Sequence, residues 1–535
     1  MKKSNPFLDH TLPALPRLMS LLNRNKLSPF YGSFDRDYWH YRTVTDFSSP
    51  TYQQGVLCLA QLYSDKIFGE TYYQNEIIRD YALAGIKYWQ SLQHNDGSFD
   101  EWFPNEYSHV STAFTTYAIS EACIDLEISD ADIMDSLLRS GTWLSHNFDR
   151  KVLNHTAGAV AALANIAKLT DDAQMQKGFA DNISIMEEFQ NDEGWFYENG
   201  CFDTSYLTVS IDYLVKADDR VGGNQRIRCC LEKALDFMKY LVYPDGTVGR
   251  PIGNRNTQYI MPYGLLRYAR ESAKAKTIIS RYLGALANDR AITPMTTDDR
   301  YFLFFFLPNF LQCAREQNVH GVEPEQPDSN DKPLFDDEYR RFEDAGLIVR
   351  RHENTTFYMN YKKGGVYRYY KDSKLSAADS GYFVRQTNGN ILTSSLLVSQ
   401  DEVQFDNNQN LRIASTFKSV NYSVPFKYLF LPFRVFNFTL GFVPAFAEKL
   451  TEYIKLLFIR QRKESPYSFS RDVSFESDGS IRIQDDLTSF DESGAEVIRE
   501  IAGTAMHVPT SRYFLESDLC DEAISVSGKV ETILK

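Results

Sequence analysis

Apolar helical stretches and short polar turns alternate over the first 315 residues, and the alternation repeats. "YWQSLQHNDGSFDEWFPNEYSHVSTAFTTYAISEA" (residues 88 to 122), "ISIMEEFQNDEGWFYENGCFDTSYLTVSIDYLVKA" (183 to 217) and "ALDFMKYLVYPDGTVGRPIGNRNTQYIMPYGLLRYA" (234 to 269) follow one template. Each reads as a helix, a turn around Gly97, Gly194 or Gly246, a polar loop and a second apolar helix. "SLLRSGTWLSHNFDRKVLNHTAGAVAALANIAKL" fits the same template with a different turn, and weaker copies begin near Asp35 and Leu286. The six pairs recur at roughly 42 to 65 residues, a period that means stacked units, each burying its face on its neighbours. Six αα-hairpins over residues 1 to 317 predict an incomplete (α/α)6 toroid whose inner helices line a central cleft. An open solenoid is the competing geometry.

"NVHGVEPEQPDSNDKPLFDDE", residues 318 to 338, is a polar, proline-bearing linker. From 339 to 535 the pattern shortens to alternating runs such as "GLIVRR", "TTFYMNYK" and "GVYRYYK", separated by turns. These are strand and hairpin signals and predict an antiparallel β-sandwich. The fold class expected is therefore α+β and multidomain, a toroid followed by a sandwich.

One stretch breaks the sandwich pattern. "YLFLPFRVFNFTLGFVPAFA", residues 428 to 447, is apolar for about the length of a membrane span. Arg434, Pro432 and Pro444 lie inside it, and "EKLTEYIKLLFIRQRK" after it reads as an amphipathic helix with a basic end. An insertion at about 425 to 463 that packs on its own domain is expected. A peripheral membrane contact through 428 to 460 is the other option.

Composition narrows the function classes. A chain of 535 residues exceeds one ordinary core, and its net charge of −14 argues against nucleic-acid binding. Seven cysteines without CxxC spacing suggest reduced thiols, and no signal-peptide pattern is read at the N-terminus. A cytoplasmic location, or one at the cytoplasmic face of the membrane, is expected. There is no P-loop, no GxGxxG after a strand and no HxxxH or HExxH, so no cofactor or metal is expected. A structural metal ion in the sandwich stays open.

In a toroid the loop before each inner helix opens onto one rim. Those loops hold Asp35, Arg36, Asp37, His40 and Arg42; Glu101, Glu106 and His109; Asn154 and His155; Asp203, Ser205 and Tyr206; Arg255, Gln258 and Tyr259. Read alone, each has an ordinary explanation as a helix cap or loop polar group. Together they converge on one cleft.

A toroid followed by a sandwich, with "LNHTAGAVAAL" opening an inner helix and "DEGWFYENGCFDTSYLTVSIDYL" one repeat on, resembles the heparinase II/III-like polysaccharide lyases and related alginate lyases. The resemblance covers nearly the whole chain in architecture and little of it in motifs. It implies β-elimination on an acidic, uronate-containing polysaccharide; the expected cytoplasmic or membrane-surface location adds a role in bacterial surface-polysaccharide metabolism. Asn154 would neutralise the uronate carboxylate, His155 would act as base or orienter, and Tyr206 as acid and base. Arg36, His40, Arg42, His109, Arg255, Tyr259, Tyr369, Lys371 and Lys374 would bind the anionic sugar.

The sequence departs from the family in the sandwich. A His-containing strand is expected before Asp379, but Leu375 and Ala377 stand there, leaving His109 or His40 as substitutes. Three other readings stay open: C5 epimerisation from the same proton abstraction, glycoside hydrolysis by paired carboxylates, and non-catalytic glycan binding or assembly. The hydrolase would draw on Asp35, Asp37, Glu101, Glu106, Glu198 and Asp203.

Overall fold

Small and apolar side chains on all sides of the inner helices let them stand close together in a ring. The structure is a computed structural model. It describes residues 5–36, 47–255, 257–323, 333–399, 402–407, 409–420, 427–455, 463–490, 494–500, 513–516, 519 and 523–535. The N-terminal helices α1 (Pro6–Thr11) and α2 (Leu15–Leu21) precede the repeats. The inner helices are α3 (Gly55–Ser64), α5 (His109–Asp125), α7 (Leu153–Thr170), α9 (Thr204–Arg220), α11 (Pro262–Tyr268) and α13 (Leu307–His320). Each packs on the next, and α13 packs back on α3, so the inner ring closes.

Outside them stand α4 (Glu76–Ser91), α6 (Ala131–His146), α8 (Ala173–Glu188), α10 (Gln225–Met238) and α12 (Ala273–Leu286), also in succession. The short α1 packs on α13 through Phe7 and Phe310, whose ring centres are 5.5 Å apart. A long sixth outer helix is replaced by this short one, so the toroid is the incomplete one expected.

The repeat has a steric origin. Gly97 sits at φ +94°, and a Cβ there would come within 2.3 Å of the Arg139 carbonyl oxygen on the next outer helix. Gly194 and Gly246 meet Lys233 and Arg281 in the same way. The turn residue is thus glycine on two grounds, conformation and close approach.

Within α7, Ala157, Gly158, Ala159, Ala161 and Ala162 are all buried, because α5, α8 and α9 enclose the helix. Small side chains permit that packing. A Cβ on Gly158 would lie 2.7 Å from the Phe114 ring.

Two antiparallel sheets form the C-terminal part. β1 (Tyr339–Phe342), β2 (Leu347–His352), β3 (Thr355–Asn360), β4 (Val366–Lys371) and β5 (Lys374–Asp379) make the first, in chain order. The second holds β6 (Tyr382–Arg385), β7 (Ile391–Thr393), β8 (Val403–Phe405), β9 (Leu411–Val420), β10 (Glu464–Phe475), β11 (Ile481–Asp486), β12 (Glu496–Glu500), β13 (Ala523–Val526) and β14 (Lys529–Leu534). Its order is β13-β12-β6-β7-β9-β10-β11-β14, with β8 beside β9. Phe357, Met359 and Tyr367 of the first sheet pack against Ile413, Val473 and Ile483 of the second. The opposite face of the first sheet is covered by the toroid, where Tyr358 and Tyr370 meet Tyr243.

Arg471 lies fully buried between the sheets, 2.7 Å from Asp485 and 2.9 Å from Asp379. Arg499 is 3.0 Å from the same Asp379 oxygen. Burial alone would raise the Asp379 carboxyl; Arg471 and Arg499 outweigh it and hold it below the usual carboxylate range.

The insertion between β9 and β10 leaves the sandwich. Its helices α14 (Lys427–Asn437) and α15 (Pro444–Lys455) lie against the toroid rim, where the sequence predicted packing on their own domain. Asn105 donates from Nδ2 to the Asn437 carbonyl at 2.8 Å, and Lys151 pairs with Glu452 at 2.9 Å. Phe103 and Phe433 are in edge contact at 5.1 Å. No described helix is long and apolar enough to cross a membrane.

Candidate functional site

One cavity of about 950 Å³ opens at the rim where the loops preceding α5, α7 and α9 meet α15. Asn154, His155, Tyr206, His109 and Arg255 all line it. Those five candidates, drawn from four repeats, are brought together.

The first turn of α7 uses its polar groups outward. Val152 is the N-cap residue and contributes no side-chain cap, so Asn154 and His155 are not capping groups. Asn154 is buried and donates from Nδ2 to Glu198 Oε2 at 2.6 Å, while its Oδ1 has no partner. His155 places Nδ1 2.8 Å from Asp149 Oδ2. A carboxylate on Nδ1 keeps the ring hydrogen there and leaves Nε2 as the basic nitrogen. Burial alone would raise the Asp149 carboxyl, but the hydrogen bond and charge of His155 hold it well below the usual range. Asp149 itself is held in a tight turn by the backbone N–H groups of Lys151 and Val152, at 2.9 and 3.0 Å.

His109, at the start of α5, faces His155 with ring centres 6.2 Å apart and planes at 25°. Its Nε2 lies 3.0 Å from the Asn147 carbonyl oxygen and must carry the hydrogen, so Nδ1, buried and unpartnered, holds the lone pair. Burial lowers its pKa to about 4, against the pull of Asp149, and the ring is neutral at pH 7. The cavity thus contains a second imidazole from the toroid.

Tyr206 sits in the first turn of α9, set by Asp203. Asp203 accepts hydrogen bonds from the N–H groups of Ser205 and Tyr206 as the helix cap, and from Thr257 Oγ1 at 2.7 Å. Its other oxygen accepts from the Arg255 N–H at 3.1 Å. One carboxylate therefore positions both Tyr206 and the loop bearing Arg255. The Arg255 guanidinium lies 4.8 Å over the Tyr206 ring and 2.7 Å from Glu198. Burial would lower the Arg255 pKa, but Glu198, Tyr206 and Asp203 raise it, so it stays charged.

Glu106 also lines the cavity and accepts from the N–H groups of Glu101 and Trp102 at 2.9 and 2.7 Å. Burial, with the neighbouring Glu101 charge, pushes its pKa up to about 8. Glu101 pairs with Arg300 at 2.8 Å, and Arg300 covers the Trp102 ring at 3.8 Å. Trp102, Tyr107, Trp143 and Phe148 supply flat surfaces in the cavity on which sugar rings can stack.

The remaining candidates lie elsewhere. Tyr259 is buried behind Tyr206, with ring centres 6.3 Å apart, and Arg36 is buried beside Asp35 at 3.3 Å; neither lines the cavity. His40, Arg42 and Asp37 lie outside the described residues. Tyr369, Lys371 and Lys374 do not reach the cavity either. Tyr369 points between the sheets, and Lys371 and Lys374 pair across the exposed turn of β4 and β5. Strand alternation explains this correction, because the neighbours Arg368 and Tyr370 take the face that packs on the toroid.

The sandwich domain instead reaches the cavity through Pro444, Glu448, Thr451 and Glu452 of α15. Asp149 lines the cavity and Arg300 pairs with its wall residue Glu101; sequence reasoning missed both. Asp149 lies six residues before His155 on a turn, a spacing with no periodic signature. Among the described residues no group of three or more His, Cys, Asp or Glu could hold a metal ion.

No known protein-family profile and no curated protein sequence matches the chain. Solved structures do. Chondroitin AC lyase from Streptomyces coelicolor A3, in complex with chondroitin sulphate, matches over 94% of this chain and 69% of its own, at 10% identity and a TM-score of 0.58. A mutant of that lyase matches over the same shares at 9% identity and 0.53. The chain thus has the fold of α/α-toroid polysaccharide lyases, a helical toroid followed by a β-rich domain.

Proposed function

We propose that the protein acts on an acidic, uronate-containing polysaccharide, and that it does so by β-elimination. The observation that carries this reading is His155, locked on Asp149 through Nδ1, in one cavity with Tyr206 and Arg255. The likeness in fold to a chondroitin lyase supports the substrate class. Arg255 meets the uronate carboxylate and, with Asn154 beside it, favours the charge that builds up as C5 loses its proton. His155 Nε2 takes that proton. The C4–O bond breaks as the C4–C5 double bond forms, and the Tyr206 hydroxyl protonates the leaving oxygen.

The test is incubation of the full chain with chondroitin sulphate, heparan sulphate and alginate. An unsaturated uronate, read by its ultraviolet absorbance, is expected from at least one of them. His155→Ala and Tyr206→Phe should each lower turnover by about a hundredfold or more. Product without ultraviolet absorbance but with inverted C5 would indicate epimerisation, and no product from any uronate polymer would remove the reading.

A second reading has its own observation. Glu106, with its pKa near 8, is protonated at neutral pH as the general acid of a glycoside hydrolase must be. In that case Glu106→Gln abolishes turnover and the sugar products are saturated; under β-elimination Glu106→Gln retains it.

A further inference from the structure

The helical insertion carries an apolar surface that nothing in the polysaccharide reading uses. Its inward face contacts the toroid through Phe433, Asn437 and Gly441, and its outward face carries exposed apolar side chains. Tyr428 is 70% exposed, Leu431 69%, and Phe438 and Phe442 61% each. Large apolar side chains at this exposure on adjoining turns make a contiguous patch, which soluble surfaces rarely show without a partner.

Charge identifies the partner. Residues 427 to 463 hold seven Lys or Arg against two acids, within a chain of net charge −14. Both acids, Glu448 and Glu452, line the cavity, so neither belongs to the outward face. Lys449 is exposed on α15. An apolar, aromatic face in a segment this rich in basic residues, with Arg434, Lys449 and Lys463 exposed, matches the interface of an anionic bilayer. A second copy docking patch to patch would instead bring two basic segments together. The geometry is that of a helix pair lying on a surface: α14 and α15 have 11 and 12 residues, and Pro432 interrupts the first. Neither can span.

We propose that this insertion docks the protein on an anionic lipid surface, with the cavity mouth beside the bilayer. α15 links the two functions, since it forms cavity wall through Glu448 and Glu452 and continues the apolar patch through the exposed Phe446 and Tyr453.

Flotation of the full chain with phosphatidylcholine vesicles, with and without phosphatidylglycerol, tests this. It needs no substrate, so its outcome is separate from that of the polysaccharide reading. The chain should float with phosphatidylglycerol vesicles and far less with phosphatidylcholine alone. L431D/F438D/F442D should weaken binding more than about tenfold, with melting temperature and elution volume unchanged. The Lys449→Glu variant, which touches no apolar contact, should weaken binding to phosphatidylglycerol vesicles only. Failure to float, equal flotation with neutral vesicles, or parent-like binding by both variants would overturn the proposal. So would a dimer in solution that the triple variant converts to monomer.

Discussion

With its Nδ1 hydrogen tied to Asp149, His155 holds one tautomer, and the first prediction concerns that proton. Asp149→Asn can present its amide to Nδ1 and so turn the ring's hydrogen to Nε2, where a base needs a lone pair. Turnover should fall about a hundredfold or more with KM nearly unchanged, measured by steady-state kinetics on whichever uronate polymer is cleaved. A second prediction concerns stability against pH. Glu106 has its pKa raised from 4.5 to about 8, so the folded state binds more protons than the unfolded between those values. Stability falls as pH rises through that window. His109, lowered from 6.5 to about 4, works the other way, since the unfolded state binds the extra proton and stability rises from about pH 4 to 6.5. Above pH 6.5 the Glu106 effect stands alone of the two. Melting temperatures between pH 6.5 and 8 should decline in the parent, and Glu106→Gln, which can still accept both N–H bonds, should flatten the decline. The residue identities of Asn154, His155 and Tyr206 were legible as candidates because each opens an inner helix. Their partners were not, because Asp149 and Glu198 reach them through loop conformation, which carries no periodic signal.

At the scale of the helix, two capping aspartates have the same local job and different long-range ones. Asp130 caps α6 through the N–H groups of Asp132 and Ile133. Asp203 caps α9 and also ties down Thr257 and the Arg255 backbone. Asp130→Ala should cost about 1 kcal/mol of stability and leave turnover intact. Asp203→Ala should cost more and also raise KM, because Tyr206 and Arg255 lose their common anchor; chemical denaturation and kinetics together separate the two. The helices and turns of the repeat were readable in sequence because a 3.6-residue apolar period and a buried turn glycine recur together. The direction of β4 was less readable. Both faces of β4 are buried up to Tyr370, one on the second sheet and one on the toroid, so those residues show no solvent face. Tyr369 and its neighbours could therefore be mistaken for a binding rim.

Across the whole molecule, the first sheet acts as a clamp on the loop that leads to Arg255. Lys363 Nζ donates to the carbonyls of Pro251 and Gly253 at 2.9 and 2.7 Å, Asn360 to Ile252 at 2.8 Å, and Arg368 to Arg250 at 2.8 Å. Burial of Lys363 lowers its pKa to about 8, against the upward pull of Asp203 and Cys201. Lys363→Met keeps most of the volume and removes both hydrogen bonds, leaving two buried carbonyls unpaired. The expected outcome is a loss of about 2 kcal/mol or more in stability and a rise in KM for an anionic polymer, read by denaturation and kinetics. The sandwich thus contributes to the site by holding a toroid loop and by sending α15 to the cavity mouth. The missing His of β5 is consistent with that division, since β5 does not line the cavity and its Asp379 belongs to the buried Arg471 pair.

Local patterning determined the helical repeat, the change to strands after residue 338 and the odd apolar stretch at 428 to 447. Each depends on side chains a few residues apart, so each is written in the order of the chain. Tertiary structure alone decided that Asn154 meets Glu198, that His155 faces His109 and that the insertion crosses to the toroid. Those contacts join residues 44, 46 and over 300 positions apart. They arise from closure of the inner ring and from which face of each sheet is buried, and no short window of sequence encodes either.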